Sequence, residues 1–372
     1  MSGRLVALDL PGGPAFVEAL RDVWDRGEAA FPVDRRLPHG AKAALLAHMG
    51  AGAVIDERGE AALDDGWPVA PGDALVVATS GSTGVPKGVV LTHAAVAASA
   101  EATGGRLAST QDDHWLACLP LSHVGGLAVV TRAMVLATSL TVLPAFDPVV
   151  VAGVGATHVS LVATALRRLD PALFHTIVLG GAAPPADLPA NVVTTYGMTE
   201  TGSGVVYDGQ PLDGVEVRLD DAGQILLRGP MLLRGYRDGS DALDADGWLA
   251  TGDVGRWLAD GRLHVEGRAG DLIITGGENV WPEPVEAVLR DRRGVLDVAV
   301  TGTADDEWGH VVTAVVVPSS DGPPALDDLR AAVRETLPAF CAPRRLVLVA
   351  AIPRTALGKV RRPELRRLAG GG

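Results

Sequence analysis

Short apolar runs bounded by Gly or Pro alternate with Ala- and Leu-rich stretches along most of this chain, and this alternation constrains its fold more than any other feature. Strand-like segments alternating with helix-like ones are the α/β pattern, and strands that are apolar throughout need cover on both faces. The chain reads as strand over 75–78, helix over 94–102, strand over 115–119, helix over 126–137 and strand over 140–143. The unit then repeats as an extended 157–161, a helical 162–169 and an extended 176–179 that runs into Gly180-Gly181. Helices are therefore expected on both sides of the sheet. Near Val215 the pattern changes to hairpins, with Asp221-Ala222-Gly223 and Asp260-Gly261 as turn signals, which predicts a smaller β-rich lobe. After Arg268 the chain restarts as strand (272–274), helix (284–289), strands (298–300 and 311–317), helix (326–337) and strand (346–349), with 319–324 as a loop.

A length of 372 residues predicts two or three domains, and 47% hydrophobic with 21% charged residues excludes disorder and collagen. A net charge of −13 gives no field that would draw nucleic acid or an anionic membrane, so a polyanionic substrate must be gripped locally. Cys118 and Cys341 lie far apart without metal-ligand spacing, which speaks against a disulfide framework or a zinc site and for a reducing, cytoplasmic setting. The first residues lack the apolar core of an export leader, so export is not expected. Residues 148–166 hold no Asp, Glu, Lys or Arg, but Gly153, Gly155, His158 and Ser160 break them into two expected buried elements rather than a membrane insertion. Composition leaves a homo-oligomer open.

The segment Thr79-Ser80-Gly81-Ser82-Thr83-Gly84-Val85-Pro86-Lys87-Gly88 follows a buried strand. Its glycines permit close backbone approach, its hydroxyls add donors, and Lys87 adds a compact charge, which together suit a triphosphate. It is not a Walker A motif, because Pro86 precedes and Gly88 follows the lysine. The alternative is a plain surface loop. Only three of the 32 basic residues are lysines, and two of them, Lys87 and Lys359, sit in Gly-flanked loops where an ammonium would be chosen over a planar guanidinium.

Four further motifs follow in order: Tyr196-Gly197-Met198-Thr199-Glu200, Thr251-Gly252-Asp253, Gly267-Arg268 with Asp271 and Gly276-Gly277-Glu278-Asn279, and Gly358-Lys359. With the loop at 79–88 they resemble the acyl-adenylate-forming superfamily of acyl-CoA synthetases, luciferases and peptide-synthetase adenylation domains. The resemblance implies an α/β protein with a large N-terminal domain of layered sheets plus a β-rich lobe (1–269) and a small mobile α+β C-terminal domain (270–372). Only 78 residues precede Thr79, so the N-terminal subdomain is expected to be abbreviated. It implies ATP, Mg²⁺ and coenzyme A with a small carboxylic acid: the carboxylate attacks the α-phosphorus, pyrophosphate leaves, and the CoA thiol then displaces AMP. By the same resemblance Lys359 bridges substrate oxygen and α-phosphate. Thr199 and Glu200 hold phosphate and Mg²⁺, and Asp253 and Arg268 take the ribose. Residues 79–84 and Lys87, with Gly180, Gly181, Ala182, Thr195, Tyr196, Gly197 and Met198, contact the nucleotide. On residue type alone Asp253 could equally cap a turn, and a Gly pair after a strand is also an ordinary turn. Residues 268–271 resemble the family's hinge, with Gly270 where many relatives place Asp or Lys.

Leu119-Pro120-Leu121-Ser122-His123-Val124-Gly125-Gly126 resembles the segment that gates the acyl pocket, making His123 the candidate gate and a catalytic-site residue. Arg132 falls in an apolar helix, where an unpaired guanidinium costs several kcal/mol, so it must reach the surface or face an anion. The subgroup that this pattern resembles is o-succinylbenzoate-CoA ligase of menaquinone biosynthesis. That implies Arg132 as anchor for a second carboxylate, with Gly181, Thr201 and Ser203 lining the same pocket and the aliphatic carboxylate activated. The alternatives are a CoA ligase for another aryl or short-chain acid, a carrier-protein loader, or a non-catalytic nucleotide-binding homologue. No carrier-like segment after Lys359 speaks for the second of these.

Overall fold

A computed structural model describes residues 3–79, 86–185, 187–354 and 360–370. They form two compact units, 1–218 with 226–250 and 219–225 with 251–372.

The first unit opens with β1 (Gly3–Leu8), α1 (Pro14–Asp25), β2 (Ala29–Pro32), α2 (His39–Met49), β3 (Ala53–Asp56), β4 (Gly59–Ala62) and β5 (Pro68–Val69). Proline at the start of α1 fits the helix N-terminus, and Phe16, Ala19, Leu20 and Val23 form its buried stripe at helical spacing. β1 lies parallel to β2 and β3. The short N-terminal region is thus a parallel α/β layer, and through β2 it joins β6 (Asp73–Thr79) in one sheet. β7 (Lys87–Thr92) pairs antiparallel with β6, an element and a pairing that the apolar pattern did not single out.

After α3 (His93–Arg106) come β8 (His114–Ala117), α4 (Val124–Leu136), β9 (Ser139–Val142), α5 (Pro148–Ala152), β10 (His158–Leu161), α6 (Ala163–Leu166), β11 (Thr176–Leu179) and β12 (Val192–Gly197). β9, β8, β10, β11 and β12 are parallel in that spatial order. Side chains alternate across a strand, so Leu116, Val159 and Ile177 pack with Val151 of α5 and Leu166 of α6. Trp115 instead packs against His158 and against Arg132 of α4. The expected cover on both faces is present. The segment 148–166 departs from the expectation of two buried elements: its start is a helix capped by Asp147, with Val151 buried but Val149 81% and Val150 50% exposed. Proline and an acceptor cap nucleate that helix at a site where only one of its three valines meets the core. β13 (Gly204–Tyr207) and β14 (Gln210–Pro211) extend the sheet antiparallel. β15 (Glu216–Leu219) and β16 (Gln224–Arg228) precede β17 (Gly235–Tyr236), which adds to β7.

The second unit contains most of β18 (Leu249–Trp257), antiparallel to β19 (Leu263–Arg268). The hairpin turns expected at 221–223 and 260–261 are present, with Gly223 and Gly261 at positive φ. Then follow β20 (Ile273–Thr275), β21 (Glu278–Val280), α7 (Pro282–Arg290), β22 (Val295–Asp305), β23 (Gly309–Pro318), α8 (Leu326–Thr336), β24 (Arg345–Leu348) and α9 (Arg362–Gly370). One face of the β22–β23 hairpin buries Val298, Val300 and Val312 against Val285 and Leu289 of α7 and Leu329 of α8. The other face buries Ala299 and Val315 against Leu365 of α9. Both cysteines are free and buried. Among the described residues no helix is long and apolar enough to cross a membrane.

Candidate active site

Ligands of open parallel sheets bind beyond the carboxyl ends of the strands. Here β10, β11 and β12 end side by side, in register at Leu161↔Leu179 and Leu179↔Thr194. Gly180 follows at that edge with no room for a β-carbon, which would stand 2.7 Å from Thr195 Oγ1. Thr195 in turn donates to Leu179 O at 3.2 Å. Gly181 adopts φ +90°, and Ala182 is exposed beside it.

Beyond β12, Tyr196 and Gly197 lead into a tight turn over Thr199–Thr201. Met198 N–H donates to Thr201 Oγ1 at 2.9 Å, and that hydroxyl donates to Ser203 O at 2.6 Å. A side chain on Gly197 would run into the Ser203 carbonyl. The turn therefore fixes the backbone of Thr199 and Glu200 and leaves both side chains half-buried. Thr201 is fully buried and its hydroxyl is occupied within the turn. Ser203, by contrast, reaches Arg132.

Glu200 is oriented by a residue that the sequence motifs did not include. Tyr236 donates its hydroxyl to Glu200 Oε1 at 3.1 Å, and Lys87 Nζ lies 4.3 Å from the centre of the Tyr236 ring. Pairing of β17 with β7 sets Tyr236 opposite Val89, two residues from Lys87. Tyr236 thus contacts both charges, its ring face attracting the ammonium and its in-plane hydroxyl meeting the carboxylate. Its one sequence signal is that tyrosine is rare, with three in the chain. Thr79 and Lys87 face each other across the β6–β7 pair, and Thr79 Oγ1 donates to Lys87 O at 3.4 Å. Ser80, Gly81, Ser82, Thr83 and Gly84 lie outside the described residues, as does Lys359.

His123 caps the start of α4 in an extended conformation, with Nε2 3.5 Å from Arg36 Nη2. Arg36 is itself held by Asp34 at 2.7 and 2.9 Å. A narrow cleft with room of about 10 Å³, space for about one water-sized sphere, lies between α3, α4 and the strand pair β6–β7, lined by Leu75, Leu91, Val124, Thr131, Arg132 and Gly202 among others. Arg132 is 2% exposed, which settles that it does not reach the surface. Nη2 donates to Ser203 Oγ at 3.3 Å and Cζ stands 4.7 Å from the Trp115 ring centre. Nε and Nη1 have no hydrogen-bond partner. Burial pushes the guanidinium pKa down from its ordinary value, opposed by Tyr207. A buried cation with two unused donor nitrogens has the chemistry to accept an anion.

In the second unit, Asp253 and Arg268 sit opposite each other on β18 and β19, with Arg268 Nε 3.0 Å from Asp253 Oδ1. Arg268 Nη1 also donates to Thr251 O. Thr251 Oγ1 accepts Asp253 N–H at 3.0 Å and donates to Ile225 O at 2.7 Å. Gly252 holds φ +74° within the strand, so this triplet is strand rather than a turn cap. At the hinge-like segment, Arg366 of α9 donates to the Gly270 carbonyl and to Asp271 Oδ1, the latter at 2.9 Å. Backbone and neighbouring side chain thus supply the contacts that Gly270 lacks.

The chain matches the AMP-binding enzyme family over residues 65–237 and the AMP-binding enzyme C-terminal domain over residues 284–359. It is 43% identical over 327 residues to a probable 2-succinylbenzoate–CoA ligase of Mycobacterium tuberculosis, spanning 80% of this chain and 85% of the relative. It is 34% identical over 328 residues to 2-succinylbenzoate–CoA ligase of Listeria monocytogenes, spanning 79% and 69%. The solved o-succinylbenzoate-CoA synthetase of Bacillus subtilis, in complex with its acyl-adenylate intermediate, superposes with a TM-score of 0.88 at 27% identity, over 100% of this chain and 90% of that one. Together with the order of motifs from Thr79 to Lys359, these likenesses make this chain a member of the AMP-binding, acyl-adenylate-forming enzymes.

Proposed function

We propose that this protein is an AMP-forming acid–CoA ligase acting on 2-succinylbenzoate, in menaquinone biosynthesis. The observation that carries the substrate is Arg132, a buried guanidinium with two unpartnered donor nitrogens in an apolar cleft. A monocarboxylic acid would lie wholly in the reaction centre and leave that cation unpaired, whereas a ring carboxylate would meet it while the aliphatic carboxylate stays free to react.

In the first half-reaction the aliphatic carboxylate oxygen attacks the α-phosphorus and pyrophosphate leaves; in the second the CoA sulfur attacks the acyl carbon and AMP leaves. Lys87 and the segment 79–84 are assigned to the phosphates, and Gly180, Gly181 and Ala182 to the base. Asp253 and Arg268 are assigned to the ribose. Among the described residues no group of three His, Cys, Asp or Glu side chains is arranged so that it could hold a metal ion. A single carboxylate aligned by Tyr236 suits a hard cation that keeps water and shares phosphate oxygens, so Glu200, with Thr199, would hold Mg²⁺. When bound, that ion supplies charge neutralisation at the phosphates. Lys359 is assigned to the oxygen–phosphorus bridge, where its charge counts most in the transition state. His123 is assigned to the mouth of the acyl cleft, and residues 270–372 to the body that alternates between the two half-reactions.

Pyrophosphate release with 2-succinylbenzoate, benzoate and fatty acids tests the substrate. Arg132→Ala is expected to raise the KM for 2-succinylbenzoate by about 10- to 100-fold, the loss of hydrogen bonds to a charged group, with the KM for ATP within about twofold of wild type. An equal rise in both overturns the anchor.

A further inference from the structure

We propose that Trp115 is a positioning residue for acid recognition: its indole face holds the Arg132 guanidinium in one orientation and thereby sets the preference for an acid with a second carboxylate. This inference rests on the substrate reading above. Trp115 is fully buried in β8, and Arg132 Cζ stands 4.7 Å from its ring centre. No described carboxylate forms an ion pair with Arg132, and its one hydrogen bond is the 3.3 Å contact to Ser203. The indole is thus the main feature that accounts for where this cation rests. An aromatic face attracts a guanidinium while leaving the N–H groups on its edge available, and a planar fork held flat can meet both oxygens of a carboxylate at once.

What lies beyond the indole supports the same role. Trp115 packs against the buried ring of His158 at 4.8 Å, and His158 Nδ1 is 2.8 Å from Thr157 Oγ1 and 3.5 Å from Asp113 Oδ1. His175 closes the cluster, its ring centre 5.9 Å from that of His158. The indole is therefore wedged between a fixed ring and the guanidinium, and cannot turn without disturbing one of them. Without the indole, a long side chain on an apolar helix would be free to swing its charge toward water.

The test compares wild type, Trp115→Phe, Trp115→Leu, Arg132→Ala and the Trp115→Leu/Arg132→Ala double variant. Each is assayed with 2-succinylbenzoate and with 4-oxo-4-phenylbutanoate, which lacks the ring carboxylate. Trp115→Leu is expected to raise the KM for 2-succinylbenzoate by about tenfold or more, and Trp115→Phe, which keeps a weaker aromatic face, by about threefold. For both variants kcat, the KM for ATP and kcat/KM for the monocarboxylate should hold. The double variant should be no worse than Arg132→Ala, because Trp115 acts through that arginine. Equal losses on both acids, or additive losses in the double variant, overturn the proposal. If Trp115→Leu does not fold, Trp115→Phe decides alone, and an unchanged acid preference overturns it. Loss of the acid preference in Arg132→Ala but not in the Trp115 variants overturns the role of Trp115 alone. A wild type without that preference brings down the substrate reading as well.

Discussion

Tyr236 links an ammonium and a carboxylate, through its ring to Lys87 and through its hydroxyl to Glu200, the two residues proposed for the phosphates and their Mg²⁺. Tyr236→Phe removes the hydrogen bond and keeps the ring, so ATP–pyrophosphate exchange should fall by about tenfold, as for a lost bond to a charged group. Tyr236→Leu should fall further; indistinguishable rates for the two would mean that the hydroxyl alone matters. A second residue-scale prediction concerns His158, whose pKa burial pushes below the ordinary 6.5, with His175 and Arg132 acting in the same direction and Asp113 opposing. The native state then binds fewer protons than the unfolded one, so the contribution is complete above pH 6.5 and is lost as pH falls below it. Denaturant titrations should show stability declining on that side, with a shallower slope in His158→Gln; equal slopes would refute the assignment. Arg132 was legible as a charge in an apolar helix, but Trp115 and Tyr236 were not. Their partners arrive from other elements, and contact across a sheet depends on register, which spacing along the chain does not give.

At the scale of elements, the turn after β12 depends on a missing side chain. Gly197→Ala would drive a β-carbon into the Ser203 carbonyl, and overpacking of this kind costs about 1–3 kcal/mol. A lower melting temperature with disproportionate loss of adenylation is expected, since Thr199 and Glu200 ride on the same turn. Full activity at a lower melting temperature would show that the turn gives way without moving them. Apolar periodicity located β8, α4, β10 and β11, each with a run of consecutive buried residues, and α8, whose buried Leu329, Ala332 and Val333 recur at helical spacing. It shortened β22 and β23, whose ends carry Asp, Thr and Gly and persist as strand through cross-strand pairing from Val295↔Pro318 to Asp305↔Gly309. It also passed over β7, because an apolar run does not reveal whether its neighbour runs parallel or antiparallel.

The whole molecule holds separate cores in its two units, and the second is fastened by a buried charge cluster. Arg362 meets Glu286 Oε1 at 2.8 Å, Glu283 Oε1 at 3.1 Å and Asp271 Oδ2 at 3.6 Å, and it donates to Val300 O at 2.6 Å. Burial pushes Glu283 above the usual carboxylate range even so. Arg362→Ala strands these carboxylates and should cost about 3–5 kcal/mol. Calorimetry is expected to show one of two transitions moving down while the other holds; a single transition moving as a whole would contradict independent cores. The motifs supplied the residues proposed for the site, and the restart after Arg268 supplied the expectation of a second body. Compactness divides the chain at 218/219, 225/226 and 250/251, and the last of these falls inside β18, which continues across it without a break in pattern. The placement of the thiols has a consequence for an enzyme that handles coenzyme A. Cys118 is 1% and Cys341 8% exposed, and burial pushes the Cys118 thiol up to about 12, so neither offers a nucleophilic sulfur at neutral pH. The native protein therefore has no partner for mixed-disulfide exchange with its co-substrate, and a colorimetric sulfhydryl reagent would report coenzyme A consumption without background from the enzyme.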